Sequence, residues 1–169
     1  MSFIAIDYYT SPAGELILGS YEDRLCLVDW RDRKARSSID ARVQRKLHAT
    51  FVEKKSVLVQ RAKEQLDGYF RGELQVFDLP LLSVGTVFQK RVWDALGDIS
   101  YGHTASYASL ARAIDNENAV RAVASAVGAN ALSLFIPCHR IIGSNGTLTG
   151  YAGGLAAKKM LLDLEAQYT

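Results

Sequence analysis

Residues 106–130 read SYASLARAIDNENAVRAVASAVGAN, and the period of their apolar residues decides the fold of the C-terminal half. Tyr107, Leu110, Ala111 and Ile114 fall at i, i+3, i+4 and i+7, one face of a helix, and Ser106 stands where a hydroxyl would cap its first free amides. The polar turn Asp115 to Asn118 interrupts the pattern. Val120, Val123, Ala124 and Val127 resume it until Gly128-Ala129-Asn130, residues suited to a helix C-terminus. Two short helices around a tight polar turn predict a helix-turn-helix. The outer face of the second helix carries Arg121 among Ala122, Ser125, Ala126 and Ala129. Small side chains let a backbone approach another surface closely, and one long cation is left to probe it. On DNA such a face suits a narrow groove, with phosphates at the helix N-terminus. An alanine-rich helix with one solvated arginine accounts for the same letters, and the pattern alone leaves both readings open.

Upstream, Thr86 and Gln89 have the spacing of a capping box, and Phe88, Val92, Trp93 and Leu96 behind them predict another amphipathic helix. Downstream, Leu132 to Ile136 is apolar except for Ser133, and Pro137 restrains Ile136 to an extended conformation. A buried, strand-like segment is therefore expected to deliver Cys138. Burial alone raises a thiol pKa and silences it, so a nearby base or cation is needed to populate thiolate; His139 and Arg140 are the local candidates. A lone cysteine is more often a core residue. The proline before it and the two basic residues after it favour a reactive one.

The N-terminal half reads differently. Ile4 to Tyr9, Leu16 to Gly19 and Leu25 to Trp30 are expected strands joined by short turns, a meander. Arg31 to Lys46 holds seven basic residues and two acids, most simply a solvated loop or helix face, with a DNA-contacting patch as the alternative. Ser56 then caps a helix in which Leu58, Ala62, Leu66, Tyr69 and Phe70 share one stripe and which Gly72 ends. Asp78 to Leu82 is the expected exit, giving regions 1–82 and 83–169 of an α+β protein.

Composition narrows the function classes. The 169 residues, 49% hydrophobic with three prolines, suffice for a real core, and a net charge of +2 is too small to identify a nucleic-acid binder by itself. No apolar run approaches membrane-spanning length and no export leader is visible, so no membrane partner and a cytoplasmic location are expected. Cys26 and Cys138 lie far apart, which fits free thiols in a reducing compartment, and the histidines and cysteines show no metal-ligand spacing. No cofactor or metal is implied.

Together these strings resemble the DNA alkyltransferases that repair guanine alkylated on its O6 oxygen. The match runs through Phe88-Gln89 with Val92-Trp93, Ser106-Tyr107 with Leu110-Ala111, Arg121-Ala122-Val123, Asn130, Ile136 to Ile142, and Gly150-Tyr151-Ala152-Gly153-Gly154-Leu155 to Glu165. Weaker matches are Ser11 to Gly14 and Gln65-Leu66 with Tyr69 to Gly72. Val87 and Ser100 stand where relatives usually have proline, and Cys26 lacks the company that zinc-binding relatives provide.

The resemblance implies a ribonuclease H-like N-terminal domain and a C-terminal DNA-binding domain. It implies a monomer that flips a damaged nucleotide from double-stranded DNA and moves its alkyl group onto Cys138, stoichiometrically and irreversibly. By similarity His139 takes the thiol proton through a water, Glu165 orients that histidine, and Asn130 is the hinge before the reactive segment. Arg121 would fill the vacated stack and Tyr107 would crowd the adjacent phosphate. Ala122, Ser125 and Arg140 join the DNA contacts, and Tyr151, Ala152 and Gly153 would contact the flipped base. O4-alkylthymine stays open as a second lesion. The competing readings are a non-reactive helix-turn-helix lesion-binding or regulatory protein and a cysteine hydrolase; the presence of Cys138 disfavours the first, and the lack of a separate oxyanion signature the second.

Overall fold

The structure, a computed structural model, describes residues 2–169. β1 (Phe3–Ser11) and β2 (Gly14–Tyr21) form an antiparallel hairpin with Tyr8 opposite Ile17, and β3 (Arg24–Trp30) adds antiparallel to β2. Ser11 Oγ closes the turn by donating to Gly14 O (2.6 Å) while accepting from Ala13 N (3.1 Å). The expected meander is present, and two further elements precede the capped helix, the first of them a helix where Arg31 to Lys46 was expected as a solvated loop or helix face. These are α1 (Arg36–Leu47) and β4 (Thr50–Glu53), and β4 pairs parallel to β1, so the sheet is mixed, in the order β3-β2-β1-β4. Their signal is weak for a physical reason: α1 buries only Ile39 and Val43, and β4 is an exposed edge strand.

Alternation along the sheet sends side chains to two cores. Leu16, Leu18 and Val28 face α2 (Val57–Phe70) and the C-terminal half, whereas Ile4, Ile6, Ile17 and Leu27 pack with Ile39 and Val43 of α1. Ser56 Oγ caps α2 by accepting from Val59 N at 3.3 Å.

The C-terminal half runs α3 (Val87–Leu96), β5 (Ala105–Ser106), α4 (Tyr107–Ala113), α5 (Val120–Gly128), a 3₁₀ turn at Cys138–Arg140, β6 (Ile141–Ile142) and α6 (Leu155–Gln167). The capping box at Thr86 forms, with Gln89 N donating to Thr86 Oγ1 at 3.1 Å and Thr86 N to Gln89 Oε1 at 2.9 Å. Ser106 makes a second box, with Ser109 as its partner. Ala126 belongs to the inner face of α5, not the outer one, and its carbonyl accepts from Trp93 Nε1 at 2.8 Å.

Two passages of chain lie along β3 and join the halves. Leu82 N donates to Leu25 O (2.8 Å), while Val28 N donates to Ala131 O (2.8 Å) and Ser133 N to Val28 O (2.7 Å). The segment before Cys138 is therefore anchored on the N-terminal sheet. It is not the extended strand expected from Leu132 to Ile136. Ile136 N returns to Leu132 O at 2.8 Å, and Leu134 at the corner takes φ 73°, a left-handed conformation costly for leucine and tolerated because the side chain is fully packed.

Candidate functional site

Cys138 is set by its neighbours in the chain. Asn130, at the end of α5, spans the turn with its side chain: Nδ2 donates to Ile136 O and Oδ1 accepts from Leu132 N, both at 3.0 Å. Beyond the 3₁₀ turn, Ile141 lies beside Ala105 in the short parallel pair of β6 with β5. The thiol is thus held between the sheet and the helix-turn-helix. It is buried, and burial pushes its pKa up against hydrogen bonds from Asn130 and Ser133 and the charge of Arg33. At rest it is a protonated thiol that needs a base.

His139 is fully buried, and Nε2 lies 2.6 Å from Glu165 Oε2. Burial pulls its pKa down and outweighs the pull of Glu165 upward, so the ring is neutral. The carboxylate can only accept, which assigns the proton to Nε2 and leaves the lone pair on Nδ1. That Nδ1 is buried without a protein partner among the described residues.

Glu165 comes from α6, where Lys158, Leu161 and Glu165 share one buried stripe. It is not the surface carboxylate that its distance from Cys138 in the chain permits. It accepts from Tyr69 Oη (2.7 Å), Gly102 N (3.1 Å), Arg140 Nε (2.8 Å) and Arg140 Nη2 (3.1 Å) as well as facing His139. Burial pushes its pKa up, but the hydrogen bonds and charges of His139 and Arg140 outweigh it and hold the carboxyl at about 2.

A cavity of about 200 Å³ opens onto the thiol, lined among others by Tyr107, Asn130, Cys138, Gly150, Tyr151 and Ala152. Tyr107, expected at a phosphate, borders this cavity, its Oη 3.2 Å from Thr149 Oγ1. Lys158 Nζ, buried in α6, donates to Ile141 O and to Thr149 O and Oγ1 (both 3.3 Å), tying the loop before Tyr151 to β6. Gly153 is outside the cavity lining. It packs on Trp30, where an added Cβ would meet the indole at 2.6 Å. Arg121, Ala122 and Ser125 are exposed on α5, whose first turn has no side-chain cap.

Arg140 departs from expectation. Its guanidinium is buried, bonded to Glu165 and donating through Nη1 to Ile99 O at 2.6 Å, so it faces the protein interior and not a DNA surface. The basic run is also less solvated than its composition suggests. Asp29, fully buried, pairs with Arg33 and Arg36 at 3.1 Å each. Arg33 Nη2 donates to Gly128 O (2.6 Å) and Arg42 Nη2 to Ala129 O (2.8 Å), satisfying the free carbonyls at the C-terminus of α5. Sequence reasoning missed these residues, together with Tyr69 and Lys158 at the site. An acid inside the apolar run Leu25 to Trp30, with arginines four and seven residues on, was the available signal for the first group. Lys158 on the stripe of Leu161 and Glu165 was the signal for α6.

Two family profiles divide the chain: 6-O-methylguanine DNA methyltransferase, ribonuclease-like domain, over residues 4–82, and its DNA binding domain over residues 87–167. The constitutive methylated-DNA–protein-cysteine methyltransferase of Bacillus subtilis is 43% identical over 169 residues, covering 95% of this chain and 96% of that protein. The chain belongs to the 6-O-methylguanine DNA methyltransferase family. Among solved structures, the Mycobacterium tuberculosis O6-methylguanine methyltransferase superposes with a TM-score of 0.83 at 37% identity, covering 99% of this chain and 95% of that one. A crystal structure of the M. tuberculosis OGT in complex with DNA gives 0.81 at 38% identity, covering 95% and 92%. The methyltransferase family's two-part α+β architecture is the fold described above.

Proposed function

We propose that this chain repairs DNA by moving the alkyl group of an O6-alkylated guanine from duplex DNA onto its own Cys138, once per molecule. The observation that carries the reading is a buried thiol at a cavity large enough for one small ring system, followed by a neutral imidazole whose Nε2 proton is held by an ionised carboxylate. His139 Nδ1, the buried lone pair, takes the thiol proton through a bridging water. The thiolate sulfur then forms a bond to the alkyl carbon as the carbon–O6 bond breaks, and the electron pair stays on the guanine oxygen. Backbone amides near Tyr151 and Ala152 stabilise that oxygen. Glu165 and Asn130 act through other groups, the first holding the imidazole and the second the turn that presents Cys138.

Reaching a stacked base requires extrusion, and the exposed face of α5 supports it: Arg121 enters the vacated stack while Ala122 and Ser125 allow close approach. Tyr107, at the cavity mouth, guides the rotated nucleotide. The thioether cannot be reduced by thiol exchange, and Cys26 is buried on β3 with its pKa pushed by burial up to about 12, which makes it a poor resolving thiol. The boundary between DNA-binding and ribonuclease-like regions falls at residues 82 and 83. The protein acts as a cytoplasmic monomer, and O4-alkylthymine suits the same chemistry. The non-reactive alternative leaves the Cys138–His139–Glu165 arrangement without a purpose. Incubation with duplex DNA carrying O6-methylguanine, followed by intact-protein mass measurement, should show a gain of one methyl group on Cys138. An unchanged mass with bound DNA would instead establish a lesion-binding protein.

A further inference from the structure

Trp30 ends β3 and has no part in the chemistry above, yet it braces the wall of the reaction cavity. Its Nε1 donates to Tyr151 Oη at 3.1 Å, and the two rings meet edge to face with centroids 5.8 Å apart. The indole is itself wedged. A Cβ on Gly153 would lie 2.6 Å from it and one on Gly14 3.3 Å, so two backbone segments pack closely against the ring. Beyond Tyr151 and Ala152 lies a second hollow of about 510 Å³, with Ala13, Gly14 and Trp30 along it and Glu15, Arg33 and Lys34 contributing charge. Tyr151 and Ala152 border both hollows. The braced Tyr151 is thus the partition between a 200 Å³ cavity at the thiol and a 510 Å³ groove open to solvent.

We propose that Trp30 determines the size of alkyl group this protein accepts. With Tyr151 fixed by an N–H donor and by ring packing, the cavity closes behind the reacting carbon and favours short alkyl groups over arylmethyl groups. When the brace is removed, the partition yields and the groove receives the distal ring of a bulky substituent. The step itself is unchanged: sulfur bonds to the benzylic carbon, the carbon–O6 bond breaks, and guanine keeps the electron pair. The inference rests on the alkyl-transfer reading of Cys138.

The test compares Trp30→Ala and Trp30→Phe with the parent, using duplexes that carry O6-methylguanine or O6-benzylguanine. Single-turnover transfer to Cys138 is followed by intact mass, and the benzyl-to-methyl rate ratio is the readout, since partial unfolding scales both rates alike. Filling or emptying a pocket by a small group changes discrimination by about ten-fold or more, so Trp30→Ala should raise the ratio at least that much and Trp30→Phe, which loses only the N–H and part of the ring, by roughly three-fold. Trp30→Phe carries the test if the alanine variant does not fold. A ratio unchanged in the folded variants, beside an active parent, overturns the role of Trp30 alone. A parent that alkylates Cys138 with neither duplex overturns the transfer reading and this inference with it.

Discussion

Glu165→Gln probes the site where its interactions are most concentrated. The carboxylate is 1% exposed and faces Tyr69 Oη at 2.7 Å, His139 Nε2 at 2.6 Å, Arg140 Nε at 2.8 Å and Gly102 N at 3.1 Å. Glutamine keeps the shape but turns one oxygen into a donor. At least one existing donor then meets another, and the buried Arg140 loses its counter-charge. The folded-state pKa of about 2, against an ordinary 4.5, corresponds to roughly 3 kcal/mol of stabilisation. Removing one member of a buried pair typically costs ~3–5 kcal/mol, the same order. Because the folded value lies below the unfolded one, this contribution is complete above the ordinary carboxylate range and is lost as pH falls towards 2. Urea unfolding should therefore find the variant less stable by about 3 kcal/mol near neutrality, with a shallower loss of stability in acid than the parent. Transfer should also slow, and the pH at which Cys138 reacts should rise, because the imidazolium formed as the thiol proton leaves has lost its stabilising charge. A variant with the parent's neutral-pH stability and acid slope would refute the ionised anchor. Equal thiol reactivity across pH in the two proteins would remove Glu165 from the mechanism.

Cys138→Ala should abolish alkyl transfer while leaving DNA affinity near the parent's, measured by intact mass and by titration with labelled duplex; alkyl groups still gained by the variant would place the nucleophile elsewhere. Arg121→Ala should lower single-turnover repair in duplex DNA by roughly ten-fold or more but spare transfer from free O6-alkylguanine, since only a flipped nucleotide leaves a gap to fill. Equal losses on both substrates would make Arg121 a support of the fold. Arg33→Ala removes a partner of buried Asp29 and the donor to Gly128 O, and should cost about 2 kcal/mol or more in urea unfolding, with Arg36 covering part of the loss. An unshifted midpoint would show that the contact contributes nothing to stability.

Caps were readable because a cap is a contact between residues three apart: Ser56, Thr86 and Ser106 each accept from the amide predicted by spacing alone. Cys138 and His139 stood out as candidates because proline precedes the thiol and two basic residues follow it, and the structure places the thiol at a cavity and the imidazole against Glu165. Nothing local distinguished Tyr69 from its stripe neighbours Leu66 and Ala62. Its hydroxyl acquires a partner only when α2 meets α6, bringing it to Glu165, 96 residues away. Arg140 failed in the opposite direction, since a cation beside a nucleophile suggests a phosphate contact until burial against Glu165 excludes it.

The same long-range logic gives the N-terminal half a share in the site. β3 carries the segment before Cys138 through Val28, Arg33 caps the C-terminus of α5, Tyr69 holds Glu165 and Trp30 braces Tyr151. Each of these contacts reaches a different part of the candidate site, and together they fix the relative position of Cys138, His139 and the cavity wall. In the proposed alkyl transfer those parts must be aligned to within about 0.5 Å, so the sheet would serve the reaction by positioning the groups around Cys138.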